Sequence, residues 1–247
     1  VLALYDENLA GQNRIEAGQD VSLVLDKTPF YGESGGQVGD SGYLLADGLR
    51  IEVRDTQRQG DIFIHSARIV EGSVSVGDSL RAEVDNTLRE RIKRNHSATH
   101  LLHAALRTVL GEHVSQKGSL VDADKLRFDF AHPQAVSAQE LADITALVNQ
   151  QILANTAVQT EVTDMENAQK LGAMMLFGEK YPDPVRIVSM GEFSQELCGG
   201  THLENTAQIG GFEIVSEEGV AAGIRRITAL TGEKAGQHAG RVSGELE

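Results

Sequence analysis

The chain has 247 residues, 40% hydrophobic and 23% charged, with aromatics at only 4%, so it is globular in composition and its core must be aliphatic. No apolar run approaches the roughly 18–20 residues of a membrane span, no charged-then-apolar signal peptide opens the chain, and a single cysteine excludes an intramolecular disulfide framework. The net charge of −14 argues against polyanion binding, although residues 1–85 hold 15 acidic and 7 basic side chains, so most of the 22 basic residues lie later. These features predict a cytoplasmic protein, and a start at Val1 without Met predicts an excised piece of something longer.

Residues 1–88 read as β. Segments 21–25, 51–53 and 61–65 alternate apolar and polar side chains, separated by the turn signals Glu16-Ala17-Gly18, Ala46-Asp47-Gly48 and Arg58-Gln59-Gly60. Short strands in such succession predict a small β-barrel. Between two of them lies Pro29-Phe30-Tyr31-Gly32-Glu33-Ser34-Gly35-Gly36-Gln37-Val38-Gly39-Asp40, too glycine-rich for a regular strand. It lacks the Lys-Ser/Thr ending and the following helix of a nucleotide-phosphate loop.

Residues 89–232 mix helix and strand. Ala98, Leu101, Leu102, Ala105, Leu106 and Val109 recur at helical spacing, with Gly111 as the stop. Ser137 and Glu140 form a capping box; Leu141, Ile144, Leu147 and Val148 then give the apolar face of a helix running to about Ala154. Segments 185–190, 212–216 and 223–229 read as strands. Residues 233–247 have little periodic apolar content and are expected to be a loosely held tail. The predicted fold class is α+β, a small β-barrel followed by an α/β core.

His96-Ser97-Ala98-Thr99-His100 places two imidazoles at i and i+4, one turn apart on one helix face. Far along the chain, Cys198-Gly199-Gly200-Thr201-His202 offers a thiolate and a third imidazole. Thiolate and imidazole in tetrahedral geometry suit Zn²⁺, and the two glycines would let Cys198 and His202 face one ion. Each half alone is equally compatible with a surface coincidence or an inert core cysteine; together they predict a metal site of His96, His100, Cys198 and His202. His103, three residues after His100, is expected to pack or to support that site rather than to ligate.

The His-x₃-His and Cys-x₃-His elements, with the glycine-rich segment 29–40, resemble the editing region of bacterial alanyl-tRNA synthetases. Further matching stretches are Val114-Ser115-Gln116-Lys117-Gly118-Ser119, Leu176-Phe177-Gly178-Glu179-Lys180-Tyr181 and Gly223-Ile224-Arg225-Arg226-Ile227. AlaX-type trans-editing proteins and the editing domain of threonyl-tRNA synthetases share the metal elements. The resemblance implies a core of the threonyl/alanyl second-additional-domain type. It implies zinc-dependent hydrolysis of tRNA(Ala) mischarged with serine or glycine, and the remaining synthetase domains as partners. The adenylate-forming aminoacylation site is not expected within these residues. A freestanding AlaX-type deacylase and a non-catalytic zinc-stabilised tRNA-binding module are the alternatives. By the same resemblance Gln116 lies near the aminoacyl group, and Thr99 is a second candidate catalytic residue or a plain helix residue. Gly32 to Gly39 either approach the tRNA terminus or form a turn. Arg89, Arg91, Lys93, Arg94, Arg225 and Arg226 are the candidates for tRNA phosphate contact.

Overall fold

A computed structural model describes residues 1–175 and 181–244; residues 176–180, part of one stretch that carried the resemblance, and 245–247 lie outside the described residues. The chain divides into two compact units, Val1–Arg89 and Glu90–Glu247.

The first unit is an antiparallel sheet of β1 (Ala3–Tyr5), β2 (Gly11–Gln12), β4 (Asp20–Val24), β5 (Gly42–Ala46), β6 (Leu49–Gln59), β7 (Ile62–Glu71) and β9 (Arg81–Val84). A separate ribbon pairs β3 (Arg14–Glu16) with β8 (Ser73–Ser75). Along β4, β5, β6 and β7, every second residue is buried, so that Val21, Leu23, Leu44, Ile51, Val53, Ala67 and Ile69 form one apolar face. The strand order β2-β1-β4-β7-β6-β5-β9 leaves β2 and β9 as unpaired edges. The expected small barrel is therefore an open sheet: closure requires first and last strands to pair, and hairpin spacing carries no information about that long-range contact.

The glycine-rich segment is a turn folded back on this sheet. Gly35 and Gly36 have φ of +59° and +85°, which only glycine adopts freely, within a turn closed by Ser34 and Gln37. A Cβ on Gly39 would stand 2.0 Å from the Thr56 carbonyl oxygen, so this glycine is required by close backbone packing. At its end, the buried Asp40 carboxylate accepts from the Tyr31 backbone N–H at 2.7 Å and from the Arg89 guanidinium.

Helix α1 (Asn86–Leu110) begins at the end of the first unit, where its first turn is capped by Asp85 Oδ1 accepting from the Leu88 N–H at 3.0 Å, and residues 90–110 belong to the second. Gly111, with φ +118°, ends the helix. A four-stranded antiparallel sheet runs β10 (Gln116–Val121), β11 (Leu126–Ala131), β16 (Ile224–Thr231), β15 (Phe212–Ala221); β12 (Val158–Thr163), β13 (Val185–Met190) and β14 (Ser194–Leu197) form a second, three-stranded sheet. Helix α2 (Ala138–Leu153) carries the expected capping box, and α3 (Met165–Lys170) is short. Leu101, Leu102 and Leu106 of α1, Ile144 and Val148 of α2, and Phe128, Phe130 and Ile227 of the sheet pack as one core. The expected loose tail is instead helix α4 (Gly232–Gly244), in which Ala235 is buried; the residues before Val242 carry no large aliphatic side chain, which leaves no stripe to read. Among the described residues no helix is long and apolar enough to cross a membrane.

What positions the site is the middle of α1. Residues 95–106 are buried without a break, and six of them (Asn95, His96, Ser97, Thr99, His100 and His103) are polar. Each must find a partner there or remain as an energetic liability.

Candidate metal centre

His96 and His100 project from one face of α1, and Cys198 and His202 come from the loop that follows β14. One potential ligand atom from each residue lies within 4.8 Å of all the others. The Cys198 Sγ is 3.5 Å from His96 Nε2 and 3.4 Å from His202 Nε2. A tetrahedral zinc with bonds of about 2.3 Å to sulfur and about 2.05 Å to nitrogen separates those atoms by about 3.6 Å. The donor types suit zinc, and these two sulfur–nitrogen spacings match a tetrahedral site.

The loop is held by donors to its backbone. Arg186 Nη1 donates to the carbonyls of Cys198 and Gly200, both at 2.8 Å, and the Gly200 N–H points at Sγ from 3.3 Å. A Cβ on Gly199 would meet nothing within 4 Å, so the absence of its side chain is not what makes the loop fit; the Arg186 staple holds it. Behind the ligands, the Ser97 hydroxyl oxygen is 3.1 Å from His202 Nδ1 and also accepts from the Leu203 N–H at 3.2 Å. The buried Glu196 carboxylate bonds His103 Nδ1 at 2.9 Å and stands 3.8 Å from His100 Nδ1, which has no hydrogen-bond partner of its own. Such outer partners orient ligating imidazoles.

The electrostatics favour a bound cation. Burial pushes the Cys198 thiol up, but His96 and His100 outweigh it and hold the pKa well below the ordinary thiol range. Burial presses His100 down, yet Glu196 and Cys198 raise it to about 9. His202 is driven well below the ordinary imidazole range by burial and by His96 and His100. Metal ligation takes the deprotonated thiol, so the lowered Cys198 pKa favours a bound ion, and it takes neutral imidazole, so the raised His100 pKa couples binding to proton release.

Comparisons with known proteins give the chain a family. Residues 1–88 match the family "tRNA synthetases class II (A)", and residues 185–228 match "Threonyl and Alanyl tRNA synthetase second additional domain". Alanine–tRNA ligase of Saccharophagus degradans is 58% identical over 219 residues, 88% of this chain and 25% of that protein. The enzymes of the same name from Halorhodospira halophila and Nitrosospira multiformis are 55% and 56% identical, each over 95% of this chain and 27% of their own length. The chain belongs to the alanyl-tRNA synthetase family. It spans about a quarter of the length of these relatives.

Within this synthetase segment the other predicted residues fare differently. Thr99 donates its hydroxyl to the Asn95 carbonyl at 2.7 Å, a bond internal to α1. Gln116 begins β10 opposite Phe130, beside a bulge. Of the six basic candidates, five are ion-paired among the described residues: Arg89 with Asp40, Arg91 with Asp124, Lys93 with Glu90, Arg225 with Glu217 and Arg226 with Asp129. The last two pairs are bidentate, at 2.5 and 2.8 Å and at 2.7 and 2.8 Å. Ser97, Arg186 and Glu196 were missed in the sequence. Glu196 had a usable signal, since a carboxylate two residues before a ligand on an extended strand shares its face.

Proposed function

We propose that this segment edits: with zinc held by His96, His100, Cys198 and His202, it hydrolyses Ser-tRNA(Ala) and Gly-tRNA(Ala) in the cytoplasm. The observation that carries the proposal is the convergence of three imidazoles and one thiolate within 4.8 Å in a chain of this family.

The physical need is clear. An alanine pocket discriminates weakly against glycine, one methyl smaller, and against serine, one hydroxyl larger; differences of about 1–3 kcal/mol leave mischarged product that a second site must destroy. Zinc, when bound, supplies Lewis-acid polarisation of the ester carbonyl or a water of lowered pKa. The chain's own residues supply the rest. Ser97 and Leu203 fix His202; Glu196 holds His103 and faces His100; the amide of Gln116 donates to the aminoacyl ester or to the serine hydroxyl. Cys198 and His202 are less buried than His96 and His100, which makes theirs the side from which the ester reaches the ligands.

The test is release of labelled amino acid from Ser-tRNA(Ala), Gly-tRNA(Ala) and Ala-tRNA(Ala), with zinc measured in the same samples. Serine and glycine released, alanine retained, and near-stoichiometric zinc that falls in Cys198→Ala and in His96→Ala support the reading. A zinc-free parent that is fully active, or a parent that releases nothing, overturns it.

A further inference from the structure

Within the unit Glu90–Glu247, Arg91, Arg94 and Asn95 of α1, Asp124 of the β10–β11 turn, and Thr231 and Lys234 at the β16–α4 junction line a cavity of about 340 Å³. Its charges do not cancel. Arg91 Nη2 and Lys234 Nζ both donate to one oxygen, Asp124 Oδ1, on a side chain 67% exposed. The other carboxylate on the rim, Glu233, accepts from Gln237, and Arg94 has no carboxylate partner among the described residues. Three cations thus face two carboxylates.

The neutral lining is already committed: Thr231 donates to Asn95 Oδ1 at 2.7 Å, and Asn95 Nδ2 donates to the Asp122 carbonyl at 2.8 Å. The donors left over are cationic. A guanidinium has five N–H groups and an ammonium three, so Arg91 and Lys234 keep most of theirs while sharing Asp124. Spare charged donors converging from three directions on an open cavity select an anion with several acceptor oxygens, which is the chemistry of a phosphodiester.

We propose that this cavity holds a backbone phosphate of the RNA. The inference rests on the editing reading and divides the basic residues in two. Arg91, Arg94 and Lys234 face the nucleic acid, whereas Arg89, Arg225 and Arg226 hold carboxylates of the chain itself.

The probe is uncharged tRNA(Ala), bound by the full chain across a salt series. Each duplex phosphate contact contributes about −0.9 to the log–log slope. Arg94→Gln with Lys234→Gln should flatten the slope by about one contact, so the affinity lost between about 50 and 200 mM salt shrinks about threefold. With Ser-tRNA(Ala), KM should rise while kcat and zinc content hold. Arg94→Lys, which keeps the charge, should restore the parent slope, and the exposed Arg81→Gln reports generic charge loss. A double variant indistinguishable from Arg81→Gln overturns the proposal, as does a parent that binds no tRNA. Tight inorganic phosphate binding with an unchanged tRNA slope overturns the assignment to RNA. Binding without hydrolysis overturns the deacylase reading instead and leaves the slope measurement decisive for the cavity.

Discussion

In the unit Val1–Arg89, His65 is wholly buried and both ring nitrogens face ordinary partners, the Leu23 carbonyl at 3.1 Å and the Thr28 hydroxyl at 2.8 Å. In the unit Glu90–Glu247, His96, His100 and His202 crowd together with ring centroids 4.2–5.2 Å apart and the Cys198 sulfur among them. The first histidine is consumed by the fold. The second group is not: burial, His96 and His100 drive the His202 pKa down, and a buried His100 nitrogen lacks a partner. A fold that keeps such a group pays in stability for something other than packing. The same contrast separates the arginines, since Arg89 serves a buried carboxylate while Arg94 serves none among the described residues.

The largest effect expected from breaking this contrast is at Arg89. Asp40 is 1% exposed, and removal of one partner of a buried pair leaves an uncompensated charge, costing about 3 kcal/mol. Arg89→Ala should therefore destabilise the unit Val1–Arg89 by that amount in denaturant unfolding, and Asp40→Asn in the same chain should recover part of it. Unchanged stability with weakened tRNA binding would move Arg89 to the RNA-facing group.

Next comes zinc removal. A ligand at 100 times its Kd stabilises the folded state by about 2.7 kcal/mol, so chelation should lower hydrogen-exchange protection about 100-fold. The loss should fall on the middle of α1 and on β14. Amides of β4 and β7 in the other unit should not respond. Equal loss in both units would contradict a metal confined to the histidine cluster.

Smaller again is Glu196→Gln. The amide keeps the shape but loses the charge that faces His100 and binds His103. Loss of an outer partner typically weakens metal binding about 10- to 100-fold, measurable by competition with a chromophoric chelator in a chain whose exchange pattern is otherwise native. Unaltered zinc affinity would reduce Glu196 to a packing residue.

The sequence made some of this legible for identifiable reasons. The apolar stripe from Ala98 to Val109 revealed the second half of α1; its first half, rich in Arg, Lys and Asn, has no such stripe, so the true start at Asn86 was invisible. Strand β13 was read with its observed limits, because it is short, β-branched and preceded by proline. Strand β11 alternates Leu126, Phe128 and Phe130 and could have been read in the same way. Sheet closure could not, because pairing of β2 with β9 is a question about distant segments. The four-residue cluster was legible because its residue types are rare and evenly spaced. Ser97 and Glu196 act one step behind the ligands, with side chains too common to announce a role.

The smallest prediction returns to His65, where the comparison can be sharpened by pH. Burial lowers its pKa, and the bond to the Leu23 carbonyl raises it only in part. Its folded pKa thus lies below the unfolded value of about 6.5, so the folded chain binds the proton less readily than the unfolded one. Stability from neutral His65 is then complete above pH ~6.5 and is lost as the pH falls through the folded pKa. Hydrogen-exchange protection of β4 and β7 amides, corrected for intrinsic rates, should decline from about pH 7 to 5. The decline should be less steep in His65→Gln, whose amide can still reach Thr28 or Leu23 but cannot titrate in that range. Because other carboxylates and histidines titrate identically in the two chains, the difference between the curves isolates His65. Parallel curves would mean that the buried ring accepts its proton without disturbing Leu23 or Thr28, and the division between a histidine consumed by the fold and histidines held for an ion would lose its first half.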